Sequence, residues 1–412
     1  MKWGPPKGGP PPPPNGDAAP RALVKDKWHN ARRVTPLKGN PSLPYFWTAF
    51  LPNEGVLMVE ALERRPWWKK MEKGGTFNFW WGPNGEQFDF KKLKKEKRQL
   101  VNRLQDHREI CTKTRLAINL QEYAKKANLD VNTIIPTTYV LEGGGDKGAR
   151  QLRDKKDEFD KAANGEGKGT KHLKGDIWIV KPGGRNRGIG IEVMKGFNAV
   201  DNFIKKQLTS SQWVVQKYLE DPMLIHKCKF DIRQLILVGH DQKVYMYKNS
   251  YVRTCATEYA KDSTDLTVHL TNDAVQKKMD NYGKYEDANK LSYDEFRAIL
   301  CSHNQNFEKD IYPQIQEATR HVFRAALSKL NVRRTDYCFE LMGMDFMLDA
   351  SFKVWLIEIN TSPALFRHGA VLEELFPPLM EELAQKVVDK VFPPPAGEVL
   401  PQQLNGFELL KL

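Results

Sequence analysis

At 412 residues the chain is long enough for about two or three domains with sizeable cores, and no apolar run approaches the length of a membrane span. Its 64 Lys and Arg against 51 Asp and Glu leave a net charge of +13, which points to an acidic partner: RNA, an anionic membrane or an acidic protein surface. Five widely spaced cysteines without a CxxC pair (Cys111, Cys228, Cys255, Cys301 and Cys338) argue against a disulfide framework or zinc knuckle and for a reducing compartment. With no apolar signal core at the amino terminus, a soluble intracellular protein is expected.

Residues 1–44 are rich in Pro and Gly, with a basic continuation. Such a composition buries too little apolar surface to offset chain entropy, so a disordered tail is expected. Residues 45–90 are aromatic-rich, with turn signals near 52, 74 and 84, and read as a small α+β domain: a strand, a helix around 55–70, then strands near 76–90. Aromatics among positive charges can stack on nucleic-acid bases. They are also the usual filling of a small core, and without a periodic exposed pattern the core reading is preferred. Residues 91–115 form a dense basic run, helical through its first half, with either a solvated face or an acidic partner.

Residues 116–129 place Leu116, Leu120, Tyr123 and Ala127 at helical spacing, and residues 130–141 read as a strand. The Gly- and Lys-rich residues 143–174 are expected to be mostly a mobile loop with one short helix near 150–163. A strand over 177–180 then delivers Lys181 into a loop containing Gly183, Gly184, Gly188 and Gly190. Those glycines let backbone N–H groups turn inward towards anionic oxygens, and Lys181, Arg185 and Arg187 add charge. There is no GK[ST] run and a strand follows, so this is not a Walker loop; phosphate binding is expected, and a plain basic hairpin would show the same pattern. Residues 213–219 form an apolar strand ending in Gln216, Lys217, Tyr218 and Leu219, where backbone groups suit an adenine edge.

In KFDIRQLILV, the residues Lys229, Asp231 and Arg233 alternate with Phe230 and Ile232 and so share one strand face. An exposed structural salt bridge would give the same pattern. Residues 244–254 read as a further hairpin, carrying Arg253. His269, Thr271 and Asn272 follow an acidic loop, and a lone His in that setting reads as structural. Helices are expected over 291–300, 310–330 and 370–391. Between the last two lie apolar strands over 338–348 and 354–359, interrupted by Asp345, Glu358 and Asn360. Pairing Asp345 with Glu358 puts the turn on 350–353, where a turn is wanted, and gathers three hard oxygen donors on one patch suited to Mg²⁺.

The ordered motifs WIVKPGGRNRGIG, VVQKYLEDPMLI, KFDIRQLILV, YVR, HLTN and MGMDFMLD…FKVWLIEINTSPAL resemble the tubulin–tyrosine ligase-like family, of the ATP-grasp fold, over about residues 110–392. The aromatic segment 45–90, FKVWLIEINTSPAL and VLEELFPPLMEEL look most similar to its protein polyglycylase branch. The resemblance implies an α+β, ATP-grasp-like fold that clamps ATP between a central and a C-terminal, mostly antiparallel sheet, beside a small aromatic-rich N-terminal domain. The implied division is a tail (1–44), an N-terminal domain (45–110), a central domain (111–217) with the mobile insert 143–174, a C-terminal catalytic domain (218–395) and a tail (396–412).

The resemblance also implies roles. Lys181 would touch the α- and β-phosphates under a lid of Arg187, Gly188, Ile189 and Gly190, with Lys113 also reaching phosphate. Gln216, Lys217, Tyr218 and Leu219 would hold the adenine, and Asp345, Glu358 and Asn360 the Mg²⁺. Lys229 and Asp231 would sit near the ribose and transferred phosphate, and Arg233 at the γ-phosphate. Arg253, with Thr271 and Asn272, would take the carboxylate of a free amino acid. The implied reaction is ATP-dependent ligation of that amino acid, glycine favoured, through an acyl-phosphate to glutamates in acidic tubulin tails or another acidic protein. A cytoplasmic, microtubule-associated location is expected, without a membrane or nucleic-acid partner. Polyglutamylation or tyrosination on the same fold, and a non-catalytic microtubule or RNA binder, are the alternatives. The last is disfavoured because Lys181, Asp345, Glu358 and Asn360 are all present.

Overall fold

A computed structural model describes residues 43–50, 55–73, 75–82, 88–93, 99–166, 175–185, 188–263, 265–330 and 338–412. The expected tail 1–44 therefore lies almost wholly outside the described residues. Three sheets follow one another along the chain. The first contains β1 (Tyr45–Ala49), β2 (Trp68–Lys70), β3 (Phe79–Trp81) and β4 (Leu100–Val101), in the order β2-β1-β3-β4 and parallel throughout. The second, antiparallel, has the order β5-β8-β6-β7 and contains β5 (Thr138–Leu141), β6 (Ile177–Pro182), β7 (Glu192–Lys195) and β8 (Trp213–Lys217).

The third sheet is also antiparallel. Its members are β9 (Leu224–Ile225), β10 (Cys228–Val238), β11 (Val244–Tyr247), β12 (Tyr251–Glu258), β13 (Lys290–Ser292), β14 (Glu340–Leu348), β15 (Val354–Thr361) and β16 (Phe407–Leu409). Every residue of β10 is buried, because β12, β11, β9 and β14 all pair with it. The α+β class and the antiparallel character of the central and C-terminal sheets agree with the sequence reading.

Several expectations need correction. The insert 143–174 contains two helices, Gly145–Arg153 and Lys156–Ala163. They are packed elements: Leu152 and Phe159 are buried, and Phe159 stacks on Trp178 with ring centroids 3.6 Å apart. Two large apolar anchors diluted among charges were too sparse a period to see. The expected tail 396–412 supplies β16, which pairs with β11 and buries Phe407 and Leu410. The strand expected over 130–141 is confined to β5, with a 3₁₀ turn at Val131–Thr133 before it. The expected 244–254 hairpin does not form as such, since β11 and β12 each pair with β10.

Residues 94–98 of the basic run lie outside the described residues, and the helix expected through its first half does not reach Leu100 and Val101, which extend the first sheet; the long helix Lys113–Lys126 starts only after Thr112, whose backbone is extended.

The aromatic N-terminal segment is core, and it is shared core. Trp47, Trp68, Phe79 and Trp81 pack with Leu235, Leu237 and Phe339 of the large sheet's underside and with Phe376 and Leu379 of the helix Ala370–Leu383. Phe79 stacks on Phe339 at 6.3 Å. A buried polar cluster crosses this interface. Arg65, fully buried, donates from Nε to Asp389 at 2.8 Å and from Nη2 to Glu381 at 2.8 Å and Asp389 at 2.7 Å.

Removing one partner of a buried ion pair leaves an uncompensated charge in low dielectric. Arg65→Met is therefore expected to cost about 3–5 kcal/mol in urea unfolding of the full chain, and a loss below about 1 kcal/mol would show that water screens the cluster.

Candidate active site

The central and C-terminal sheets face each other across a cleft lined by residues of both. Apolar walls come from Ile179, Ile191, Met347 and Ile357. β6 ends by delivering Lys181 into the cleft. Its ammonium donates to Gln216 Oε1 at 2.8 Å, and Gln216 Nε2 donates to Thr138 Oγ1 at 2.9 Å. Burial, aided by the charge of Lys113, pushes the Lys181 pKa down to about 8 against the pull of Glu358.

The loop after Lys181 uses two glycines where a side chain would be strained: Gly188 and Gly190 both have φ of +75°. A Cβ on Gly188 would sit 3.1 Å from Leu270 Cδ1 and 3.8 Å from Asn272 Oδ1, so the loop closes against the Leu270–Asn272 segment. Ile189 is exposed at its tip. Arg187 lies outside the described residues.

Alternation on β10 places Lys229, Asp231 and Arg233 on the cleft face, and all three are buried. The neighbouring strands supply their partners by register, with Asp231 opposite Arg253 on β12 and Arg233 opposite Asp345 on β14. Arg253 grips Asp231 with two bonds, Nε to Oδ1 at 2.7 Å and Nη2 to Oδ2 at 2.6 Å, and reaches Asp345 Oδ2 at 2.8 Å. Arg233 holds the same Asp345 from Nε at 2.5 Å and Nη2 at 3.1 Å. The Thr271 hydroxyl also donates to Asp231.

The hairpin β14–β15 has the register that the sequence required, Asp345 opposite Glu358. One residue, Ile357, is extra on β15, because the next pair is Phe346 with Leu356. Such a bulge twists the strand and re-aims its side chains. Asn360 then bridges the two carboxylates, with Nδ2 3.1 Å from Asp345 Oδ2 and 3.1 Å from Glu358 Oε1. Lys113, at the start of its helix, is 3.2 Å from Glu358 and donates to the Arg185 carbonyl at 3.0 Å. Burial alone would raise the Glu358 pKa, but Lys113 and then Lys181 outweigh it and hold the carboxyl ionised, near 2.

Lys229 donates to the Tyr218 hydroxyl at 2.8 Å, which lies 2.7 Å from His269 Nδ1; His269 Nε2 is 2.8 Å from the Ser263 carbonyl. A carbonyl only accepts, so Nε2 carries the proton and Nδ1 accepts from Tyr218. His269 thus ties the 263–272 segment to the cleft floor. Lys217 lines the cleft, but its ammonium is held behind the sheet by Glu220 at 2.7 Å and the Ile177 carbonyl at 2.9 Å. From this position it offers backbone groups rather than charge. Leu219 packs with Met347 and Trp355 on the cleft floor. Thr271 and Asn272 line the same cleft.

Sequence reasoning missed two small features. Gly343 makes room for Arg233, since a Cβ there would meet its Cδ at 2.7 Å and Nε at 2.9 Å. The bulge at Ile357 has no sequence signal at all. Gly343 carried one: it is a glycine inside an otherwise apolar strand, which often marks close approach of another group.

Burial of Lys229, with Lys181 nearby, pushes its pKa from 10.5 to about 7. The unfolded chain then binds a proton that the folded one does not across that window, so folded stability rises with pH, by up to about 1.4 kcal/mol per pH unit per proton. Lys229→Met is expected to flatten the rise in urea-unfolding free energy between about pH 7 and pH 10. An unchanged slope would show that Lys229 keeps its proton in the fold.

The sequence model of the tubulin-tyrosine ligase family matches residues 91–397, well over half of the chain. Among curated relatives, tubulin glycylase 3A of Drosophila melanogaster is 36% identical over 244 residues, 57% of this chain and 24% of the relative. Protein monoglycylase TTLL8 of Mus musculus is 34% identical over 229 residues, 52% of this chain and 27% of the relative. Tubulin monoglycylase TTLL3 of Danio rerio is 32% identical over 229 residues, 52% and 29% respectively. The chain therefore spans less than a third of the length of these relatives.

Proposed function

From the premise that this chain belongs to the tubulin–tyrosine ligase family, we propose that it is an ATP-dependent ligase that joins glycine to glutamate carboxylates of tubulin. The observation that carries the reading is convergence in one cleft: two buried lysines with lowered pKa line it together with the carboxylates of Asp345 and Glu358, which the Asn360 amide bridges. The names of the relatives favour glycine as the amino acid and tubulin as the acceptor. The net charge of +13 suits the acidic tails of tubulin or of another acidic protein.

The donor set fits Mg²⁺. Asp345 and Glu358 offer carboxylate oxygens, and Asn360 would add its amide oxygen on turning the amide whose Nδ2 now lies between them; among the described residues no group of three His, Cys, Asp or Glu forms a metal cage. One or two carboxylates completed by phosphate and water is the usual arrangement for Mg²⁺. The cleft likewise fits ATP, with apolar walls for a base and Lys181, beside the glycine loop, for phosphates. Bound ATP and Mg²⁺ would supply an activated phosphoryl group, converting the unreactive acceptor carboxylate into an acyl-phosphate.

The chain's own residues then act by position and charge. Lys181 and Lys113 hold phosphate oxygens, and Lys229 and Asp231 fix the ribose and the transferred group. Arg233, braced by Asp345, steadies the charge on the phosphoryl group and later on the acyl-phosphate. Arg253 takes the α-carboxylate of the amino acid, with Thr271 and Asn272 beside it, so that its amine meets the acyl carbon. That attack forms the amide, expels phosphate and releases a proton; no covalent nucleophile of the protein is needed. Gln216, Tyr218 and Leu219, with the Lys217 backbone, flank the adenine.

Offering labelled Gly, Glu and Tyr in parallel, with tubulin and with a cell extract, tests this reading by mass spectrometry of the product. Glycine on tubulin glutamates is the expected result, and incorporation of Tyr or Glu instead would contradict it. Glu358→Gln should lower incorporation by at least about 10²-fold in a variant that still folds, as read by a cooperative thermal transition. A variant ligating at a near-normal rate would remove Glu358 from the mechanism.

A further inference from the structure

Beyond Arg253 the buried charge row continues by one strand. Arg253 is directly opposite Asp231 on one side and Lys290 of β13 on the other. Directly opposite residues share a face, so carboxylate, guanidinium and ammonium run in line across β10, β12 and β13. Adjacent strands are ~4.8 Å apart, so Lys290 is the next charge in the row beyond Arg253, one step behind the residues that line the cleft.

Lys290 is already committed. It is buried, and its ammonium donates to Asp273 Oδ1 at 2.7 Å and to the Ala288 carbonyl at 2.8 Å. Asp273 directly follows Asn272 in the cleft wall, and its carboxylate also accepts from the Tyr282 hydroxyl at 2.9 Å and lies 2.7 Å from Lys277. An amino acid with a second carboxylate therefore meets two ammoniums, Lys290 and Lys277, both already turned to Asp273, where it needs a free one. Burying a charge without a partner is unfavourable, and discrimination built on such a mismatch is negative selection against the wrong substrate.

We propose that Asp273 is a specificity-determining residue: by holding Lys290 it withholds the second cation that a side-chain carboxylate would need, and so turns the amino-acid site against glutamate and towards glycine. The proposal rests on the ligase reading above.

The test uses the full chain as wild type, Asp273→Asn and the double variant Asp273→Asn with Lys290→Met, each given labelled glycine and labelled glutamate with tubulin. Asp273→Asn keeps an acceptor for Tyr282 while removing the charge, and Asp273→Ser serves if the amide variant does not fold, as read by thermal midpoint. The glutamate-to-glycine ratio is expected to rise about tenfold, equivalent to about 1.4 kcal/mol, in Asp273→Asn and to return to the wild-type ratio in the double variant. An unchanged ratio in a variant that still ligates glycine overturns the proposal alone. So does a rise that persists without Lys290, because another cation, such as Lys277, would then be responsible. Wild-type protein that ligates neither amino acid, or prefers glutamate, overturns the glycine-ligase reading and this inference with it.

Discussion

The site depends on one constraint: Asp231 and Arg233, which alternation buries on β10, must each find an opposite charge on a neighbouring strand, whereas Lys229 beside them meets burial with a lowered pKa and a hydroxyl partner. Asp231 and Arg233 lie on the same face of a strand with no exposed residue. Left unpaired there, each would cost several kcal/mol. Arg253 from β12 and Asp345 from β14 answer them, and the Arg253–Asp345 bond closes the set into one network. A one-residue slip of either neighbour would turn its charged side chain to the opposite face. Register, charge balance and the placement of functional groups are therefore one physical condition in this sheet.

Elements distant in sequence enforce that condition. Arg103, just past the first sheet, bonds Glu340 at the start of β14 and donates to Ser362 at 2.8 Å, just past the end of β15. It thereby pins both open ends of the hairpin that carries Asp345 and Glu358. The shared aromatic core stiffens the same edge from below, where Phe79 meets Phe339. Preorganised dipoles and charges of this kind need little rearrangement when charge develops on a substrate, which is where catalytic advantage in phosphoryl and acyl transfer arises. The N-terminal aromatic segment is thus part of the foundation of the cleft, although none of the cleft-lining residues comes from it.

Much of this was legible because period-2 alternation and a turn signal are local. The KFDIR run disclosed a charged face, and Asp345 opposite Glu358 followed from where the chain must turn. What stayed hidden depends on tertiary packing. Leu152 and Phe159 read as residues of one short helix in a mobile insert until Trp178 is seen beneath Phe159, and residues 407–409 read as a tail until β11 is seen to lack a partner on one side. The bulge at Ile357 is a pairing defect between two strands and leaves no mark on either alone. Lys217 shows the opposite error: a lysine in the right motif whose ammonium turns away because Glu220, three residues on, holds it behind the sheet.

The central claim is that Lys181 and the hairpin carboxylates jointly hold a magnesium-bound nucleotide in the cleft between the two sheets. Titration calorimetry of the full chain with a non-hydrolysable ATP analogue, with and without Mg²⁺, tests it most directly. The expected result is saturable one-to-one binding that weakens without Mg²⁺, and that Lys181→Met reduces by at least about tenfold, or about 1.4 kcal/mol. Binding of equal strength in wild type and Lys181→Met, indifferent to Mg²⁺, would contradict it.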